Sequence, residues 1–149
     1  MTDASSLRRT LALWFPYLPV DRLRQQEPDR RVSASVLPDA APESPVVFVA
    51  KQKNALRLAA VDAAGQALGL ALGMALADAR VRVPGLIAVE ADVAADRHWL
   101  DLLARSCTRF SPHVVPCPPD AVTIDIMGCE HLFGGEAGLV EAIAEHVEQ

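Results

Sequence analysis

Two carboxylates, Asp120 and Asp125, lie at the start and in the middle of a segment in which Val122, Ile124 and Ile126 alternate with Thr123 and Asp125. That alternation is the pattern of a strand with one apolar face. A proline cluster (Pro112, Pro116, Pro118, Pro119) precedes the segment and Gly128 follows it. Carboxylates at strand ends are where phosphoryl-transfer enzymes hold divalent cations. Side chains five apart on a strand point to opposite faces, so these two converge on one ion only if a bulge intervenes. Acidic residues on a half-exposed strand are equally ordinary surface chemistry. Sulfur offers no alternative centre. Cys107, Cys117 and Cys129 form no Cys-x-x-Cys pair, and with His131 they lack zinc-finger spacing. Three thiols without a secretory leader fit reduced cysteines in a cytoplasmic protein. Gly69 and Gly73 are four apart, but no Lys-Ser or Lys-Thr follows to make a phosphate loop.

The chain that must position these groups has 149 residues, enough for an ordinary core, and 51% of them are hydrophobic. Its net charge is −5. Tight DNA binding usually needs a basic excess, because phosphate neutralisation supplies most of the affinity. This segment is therefore expected to bind DNA weakly. No apolar run approaches the roughly 20 residues that span a bilayer. Arg8 and Arg9 precede a short apolar stretch that Pro16 breaks, which reads as a strand instead of a signal peptide.

Pattern and punctuation predict strands at 10–15, 45–50, 86–90 and 121–127. Helices are expected at 20–26, with Pro19 suited to the N-terminus, at 57–68, at 75–82, at 94–110 and at 136–147. Residues 27–44, rich in Pro, Asp, Ser and Ala, read as a loop. The 94–110 helix aligns Trp99, Leu102, Leu103, Ser106 and Phe110 on one face, and the last helix turns Leu139, Val140, Ile143 and Val147 inward. Gly134-Gly135 reads as a tight turn. Lys51 and Lys53, after the second strand, read either as a plain exposed turn or as a contact to a template or partner. The fold class is α/β (α+β) without regular βα alternation.

Several collinear segments resemble the N-terminal part of Y-family, translesion DNA polymerases. Leu68–Arg80 is similar to the family's "FGVRSGMPLAEAR". Pro84-Gly85-Leu86 matches its "CPDL", and Phe110–Val115 resembles "YTPVVE". Residues 120–127 take the place of "SIDEAFLDVTG". Asp125–Glu136 follows the pattern "D-[IV]-T-G-C-x-H-L-F-G-G-E" of the ImuB-type subgroup, with Met127 in place of Thr. The opening Leu13-Trp14-Phe15-Pro16 is also typical of that subgroup. The resemblance implies a palm-like sheet from 1–22 and 85–149, and an inserted fingers-like lobe from 23–84. The palm should bring strand 10–15 beside strand 121–127. In the family the chain continues into a last palm strand, a thumb and a little finger, so the resemblance leads to the expectation of an excised fragment or a truncated gene.

The departures from the family pattern are concentrated at its working positions. The family's catalytic aspartate falls on Trp14 and its second metal-binding aspartate on Pro16. In the Asp-Glu pair, Asp120 survives and Ala121 replaces the Glu. The aromatic gate against ribonucleotides falls on Pro19. The triphosphate-holding Tyr and Arg fall on Ala63 and Gln66. Two-metal phosphoryl transfer holds Mg²⁺ ions about 3.5–4 Å apart between hard oxygen ligands. An indole and two aliphatic side chains provide none. The resemblance thus implies a non-catalytic polymerase relative without Mg²⁺, acting as an adaptor in damage-induced mutagenesis. Its partners by resemblance are the sliding clamp, an error-prone C-family polymerase and a RecA-like accessory protein. Two alternatives are an active nucleotidyltransferase with an unorthodox metal site, and an unrelated α/β interaction domain. Trp14 is expected to fill the emptied metal site as a core aromatic, the alternative being an anchor for a partner protein. His131 and Glu136 match the subgroup motif without an evident chemical role.

Overall fold

The computed structural model describes residues 8–26 and 44–148. The predicted 27–44 loop therefore lies outside the described residues except for its last position. In chain order the elements are β1 (Thr10–Trp14), α1 (Leu18–Gln26), β2 (Val46–Gln52), β3 (Ala55–Val61), α2 (Ala63–Ala67), α3 (Leu76–Arg82), β4 (Ile87–Glu90), α4 (Val93–Ser106), β5 (Val114–Cys117), β6 (Ala121–Asp125) and α5 (Glu136–Val147). The chain divides into two compact units, Met1–Pro16 with Arg97–Gln149, and Tyr17–Asp96. No helix among the described residues is long and apolar enough to cross a membrane.

The first unit is built on an antiparallel sheet of order β1-β6-β5. Strands 10–15 and 121–127 are therefore neighbours, with Thr10 opposite Asp125 and Trp14 opposite Ala121. The central strand buries Val122 and Ile124, and Ile126 just beyond it is also buried. β5 lies within the proline cluster, where it is hidden from pattern reading. Its Pro116 is tolerated because β5 is an edge strand. On α4 the buried positions are Leu100 and Ala104, continued by Cys107 and Phe110. Trp99 and Leu103 are half-buried, and Leu102 and Ser106 are exposed. The inward stripe is thus rotated from the predicted 99/102/103/106/110 face. A helical period fixes the width of the stripe, while packing chooses its centre. Burial among apolar neighbours pushes the Cys107 thiol above its ordinary pKa. A short 3₁₀ turn, Glu130–Phe133, leads through Gly134 and Gly135, both at positive φ, into α5. α5 buries Leu139 and Ile143 and leaves Val140 exposed. A Cβ at Gly138 would collide with the Phe133 carbonyl oxygen, so this position has no room for a side chain.

The second unit is a mixed sheet of order β3-β2-β4. β2 runs antiparallel to β3 and parallel to β4. The predicted helix 57–68 is instead a strand followed by a single helical turn. Two features cause this. Lys53 and Asn54 both take positive φ, the conformation that closes a two-residue hairpin. Asp62 then starts α2 by accepting from Gly65 N–H at 2.7 Å. Its other carboxylate oxygen accepts from Val46 N–H at 3.0 Å, which ties the start of α2 to β2. β2 is buried on both faces. Val47 and Val49 join Leu58, Val61, Leu70, Leu76, Ala79 and Leu86. Val46 and Phe48 join Val20 of α1 and Ile87 of β4. That packing draws α1 and β4 into this unit, so its bounds differ from the expected 23–84. Arg22 of α1 is nearly buried and pairs through Nε with Asp96 Oδ1 at 2.7 Å.

Removing one partner of a buried ion pair strands the other charge. Asp96→Ala is expected to lower unfolding stability by about 3 kcal/mol, and Asp96→Asn, which keeps an acceptor, by less. Urea denaturation of both variants measures this, and equal stability of wild type and Asp96→Ala would show the pair to be solvated. Gly138→Ala is expected to cost about 1–3 kcal/mol by overpacking against the turn before α5. The same denaturation series checks it.

Candidate functional site

The β1–β6 ladder sets the geometry of the positions at which the family pattern carries its metal ligands. Beyond the Trp14–Ala121 pair the Phe15 N–H donates to the Asp120 carbonyl at 2.8 Å. The Trp14 indole Nε1–H donates to Asp120 Oδ2 at 3.1 Å. Strand alternation puts Thr10, Ala12 and Trp14 on the same side of the sheet as Ala121, Thr123 and Asp125. Val122 and Ile124 point to the covered side, together with Leu11 and Leu13. Trp14 therefore belongs to the open side and is 70% exposed. The expectation of a core indole is overturned by this parity, and the neighbouring Ala12 and Ala121 are too small to cover the ring. Pro16, just after β1, is exposed and offers no side-chain donor or acceptor.

Asp120 and Asp125 lie at opposite ends of β6 and do not converge. Asp120 meets Trp14, and Asp125 lies opposite Thr10 and accepts from Met127 N–H at 3.1 Å through Oδ1. Among the described residues no group of three or more His, Cys, Asp or Glu side chains is arranged to hold a metal ion. Of Trp14, Pro16, Asp120 and Ala121, only Asp120 contributes a carboxylate.

The remaining family positions fall in the second unit. Pro19 occupies the first turn of α1, and Ala63 and Gln66 sit on the exposed side of α2. Gln66 Oε1 accepts from the Tyr17 hydroxyl at 3.1 Å, which links the start of α1 to α2. Neither Ala63 nor Gln66 carries positive charge toward a triphosphate. Tyr17 and Asp62 were not singled out by sequence reasoning. An aspartate immediately before an alanine-rich run is a helix-start signal, and it could have divided the 57–68 segment correctly.

The motif Asp125–Glu136 acts as a structural connector. Gly128 at φ +79° makes the turn after β6, and Gly134 at φ +77° ends the 3₁₀ turn. Glu136 pairs with Arg9 at 3.0 Å, a solvent-exposed contact of small energetic weight. Phe133 packs at a tilt against Phe110 with ring centroids 5.6 Å apart, and Phe110 meets His146 edge-on at 5.4 Å. His131 is exposed. One oxygen of Glu130 is buried with no hydrogen-bond partner among the described residues.

Comparison with known proteins places these features. A family model described as the impB/mucB/samB family matches residues 32–149. Over 64 residues the chain is 45% identical to the protein named ImuB in two strains of Caulobacter vibrioides, a match that spans 43% of this chain and 14% of those proteins. Among solved structures, the insertion ternary complex of Dbh DNA polymerase superposes with a TM-score of 0.71 at 15% identity, covering 94% of this chain and 39% of that one. DinB from Sulfolobus solfataricus gives a TM-score of 0.66 at 13% identity, covering 92% and 36%. The chain spans well under half the length of each of these proteins. At such identity the structural matches show the fold alone. With the family model covering most of its length and the β1–β6 pairing in place, the chain belongs to the impB/mucB/samB family as an ImuB-type segment with a Y-family polymerase fold.

Proposed function

We propose that this chain is the palm and fingers part of a non-catalytic Y-family polymerase homologue, serving as an adaptor in damage-induced mutagenesis and translesion DNA repair. The observation that carries this reading is the Trp14–Asp120 contact. At the place where two divalent ions would need several hard oxygen ligands, there is one carboxylate, and one of its oxygens is already accepting from an indole. Trp14, Pro16 and Ala121 add no oxygen donors. A single carboxylate cannot offset the charge of two Mg²⁺ ions. The residues present do not fit the family's metal pair. Pro19, Ala63 and Gln66 weaken the case for nucleotide positioning in the same direction, since phosphoryl transfer depends on cationic clamps as well as metal. A scaffold needs none of these groups. It needs a folded platform, which both units supply.

The ImuB-type resemblance suggests the partners of the whole protein: the sliding clamp, an error-prone C-family polymerase and a RecA-like accessory protein. A bacterial cytoplasmic location accompanies that reading. DNA contact through residues 1–149 is weak in this proposal, because a net charge of −5 opposes phosphate binding.

Primer extension with the whole protein in Mg²⁺ or Mn²⁺ is expected to give no product above background. Extension that disappears on Asp120→Ala would overturn the proposal and establish an active enzyme with an unorthodox ligand set. Residues 1–149 titrated with labelled primer–template at about 0.15 M salt should bind more weakly than about 10 μM, within the range of non-specific contacts. Submicromolar, salt-sensitive binding would instead require a functional basic groove.

A further inference from the structure

The open side of the β1-β6-β5 sheet ends in an aromatic–carboxylate pair that the adaptor reading leaves without a task. Trp14 is 70% exposed, yet its indole is held by the bond to Asp120. Among the described residues, Asp120 Oδ1 has no hydrogen-bond partner. Beside the ring lie Ala12 and Ala121, and across β6 lie Val115 and Cys117 of β5, on the same side by register. Val115 is 56% exposed. By register the small residues Ala121 and Thr123 stand between Trp14 of β1 and the row Val115 and Cys117 of β5. His113 lies at the other end of this face, where its carbonyl accepts from Asp125 N–H, and among the described residues no cationic side chain forms an ion pair with Asp120.

We propose that the Trp14 end of this face is a docking site for an arginine or lysine side chain presented on an apolar segment of another protein. The proposal rests on the adaptor reading, in which a face freed from metal chemistry is available for protein contact. A cation over an indole face is attracted by the ring quadrupole, and a carboxylate at the ring edge adds a charged acceptor for the same group. The Trp14–Asp120 bond fixes the ring before the partner arrives, which reduces the ordering cost of association. Tryptophan and arginine are also the residue types that dominate interface energetics. Charge decides among occupants. A nucleic-acid phosphate would meet the uncompensated Asp120 carboxylate. A second copy in symmetric contact would oppose Asp120 to Asp120, on chains that each carry −5. A cationic side chain meets attraction at both groups.

The test uses the whole protein carrying Trp99→Phe, so that Trp14 reports from these residues. The probes are a 14-residue amphipathic Leu/Arg peptide, the same peptide with citrulline replacing arginine, and oligothymidine. The Leu/Arg peptide is expected to change Trp14 emission saturably, and the neutral citrulline peptide to bind at least tenfold more weakly. Asp120→Asn should remove most of that tenfold difference, since it keeps an acceptor for the indole and deletes the charge. Equal affinity for the two peptides would overturn the proposal. So would a response to oligothymidine in place of peptide, or concentration-dependent self-association that Trp14→Ala abolishes. Primer extension separates the two readings: peptide failure without extension removes only the docking site, whereas extension removes the adaptor reading itself.

Discussion

The antiparallel ladder between β1 and β6 is the constraint on which the chemistry of this molecule depends. A ladder fixes register, and register fixes which side chains stand beside one another on each face. Here it sets Trp14 beside Ala121 and brings Asp120 within reach of the indole. A slip of one residue would exchange the two faces of β1. It would bury Trp14 and expose Leu11 and Leu13. Leu11 and Leu13, opposite Ile124 and Val122, hold the register, because they reach the covered side in only one of the two settings. Apolar residues that take no part in chemistry therefore determine what the open face presents.

The second unit shows the same logic with a different device. β2 is apolar at Val46, Val47, Phe48 and Val49 because both of its faces are covered, by different clusters. Such a strand does not alternate in sequence. Its neighbours are held by polar contacts of high specificity. Asp62 binds two backbone N–H groups, one at the start of α2 and one on β2, and Arg22 pairs with Asp96 in a nearly buried position. Groups of this kind contribute less net stability than the clusters. Their value lies in penalising any arrangement that leaves them unpaired. Asp62, Arg22 and Asp96 thus act on packing.

The motif Asp125–Glu136 has a related meaning. Its glycines supply positive φ at two turns, and Phe133 enters the aromatic cluster with Phe110 and His146. Gly138, just beyond it, is confined by the Phe133 carbonyl. A recurring sequence signature need not mark a ligand site. Backbone conformation and close approach constrain residue type as strongly as chemistry does.

The sequence by itself determined the family, the strands at β1 and β6, their adjacency through resemblance, and the poverty of oxygen ligands at Trp14, Pro16 and Ala121. These follow from residue type and order, which are fully present in one dimension. The tertiary structure decided the rest. Residues 57–68 became a strand and a helical turn because hairpin closure at Lys53-Asn54 and the cap at Asp62 outweighed the helical preference of an alanine-rich run. The buried stripe of α4 moved to Leu100, Ala104 and Cys107 because the surrounding core selects the centre of an amphipathic face. β5 formed within a proline cluster because an edge strand tolerates a missing donor. Trp14 turned outward for a reason that no hydrophobicity scale contains. Its side of the sheet is set by the parity of its ladder partners, and the burial of an indole depends on what stands across from it.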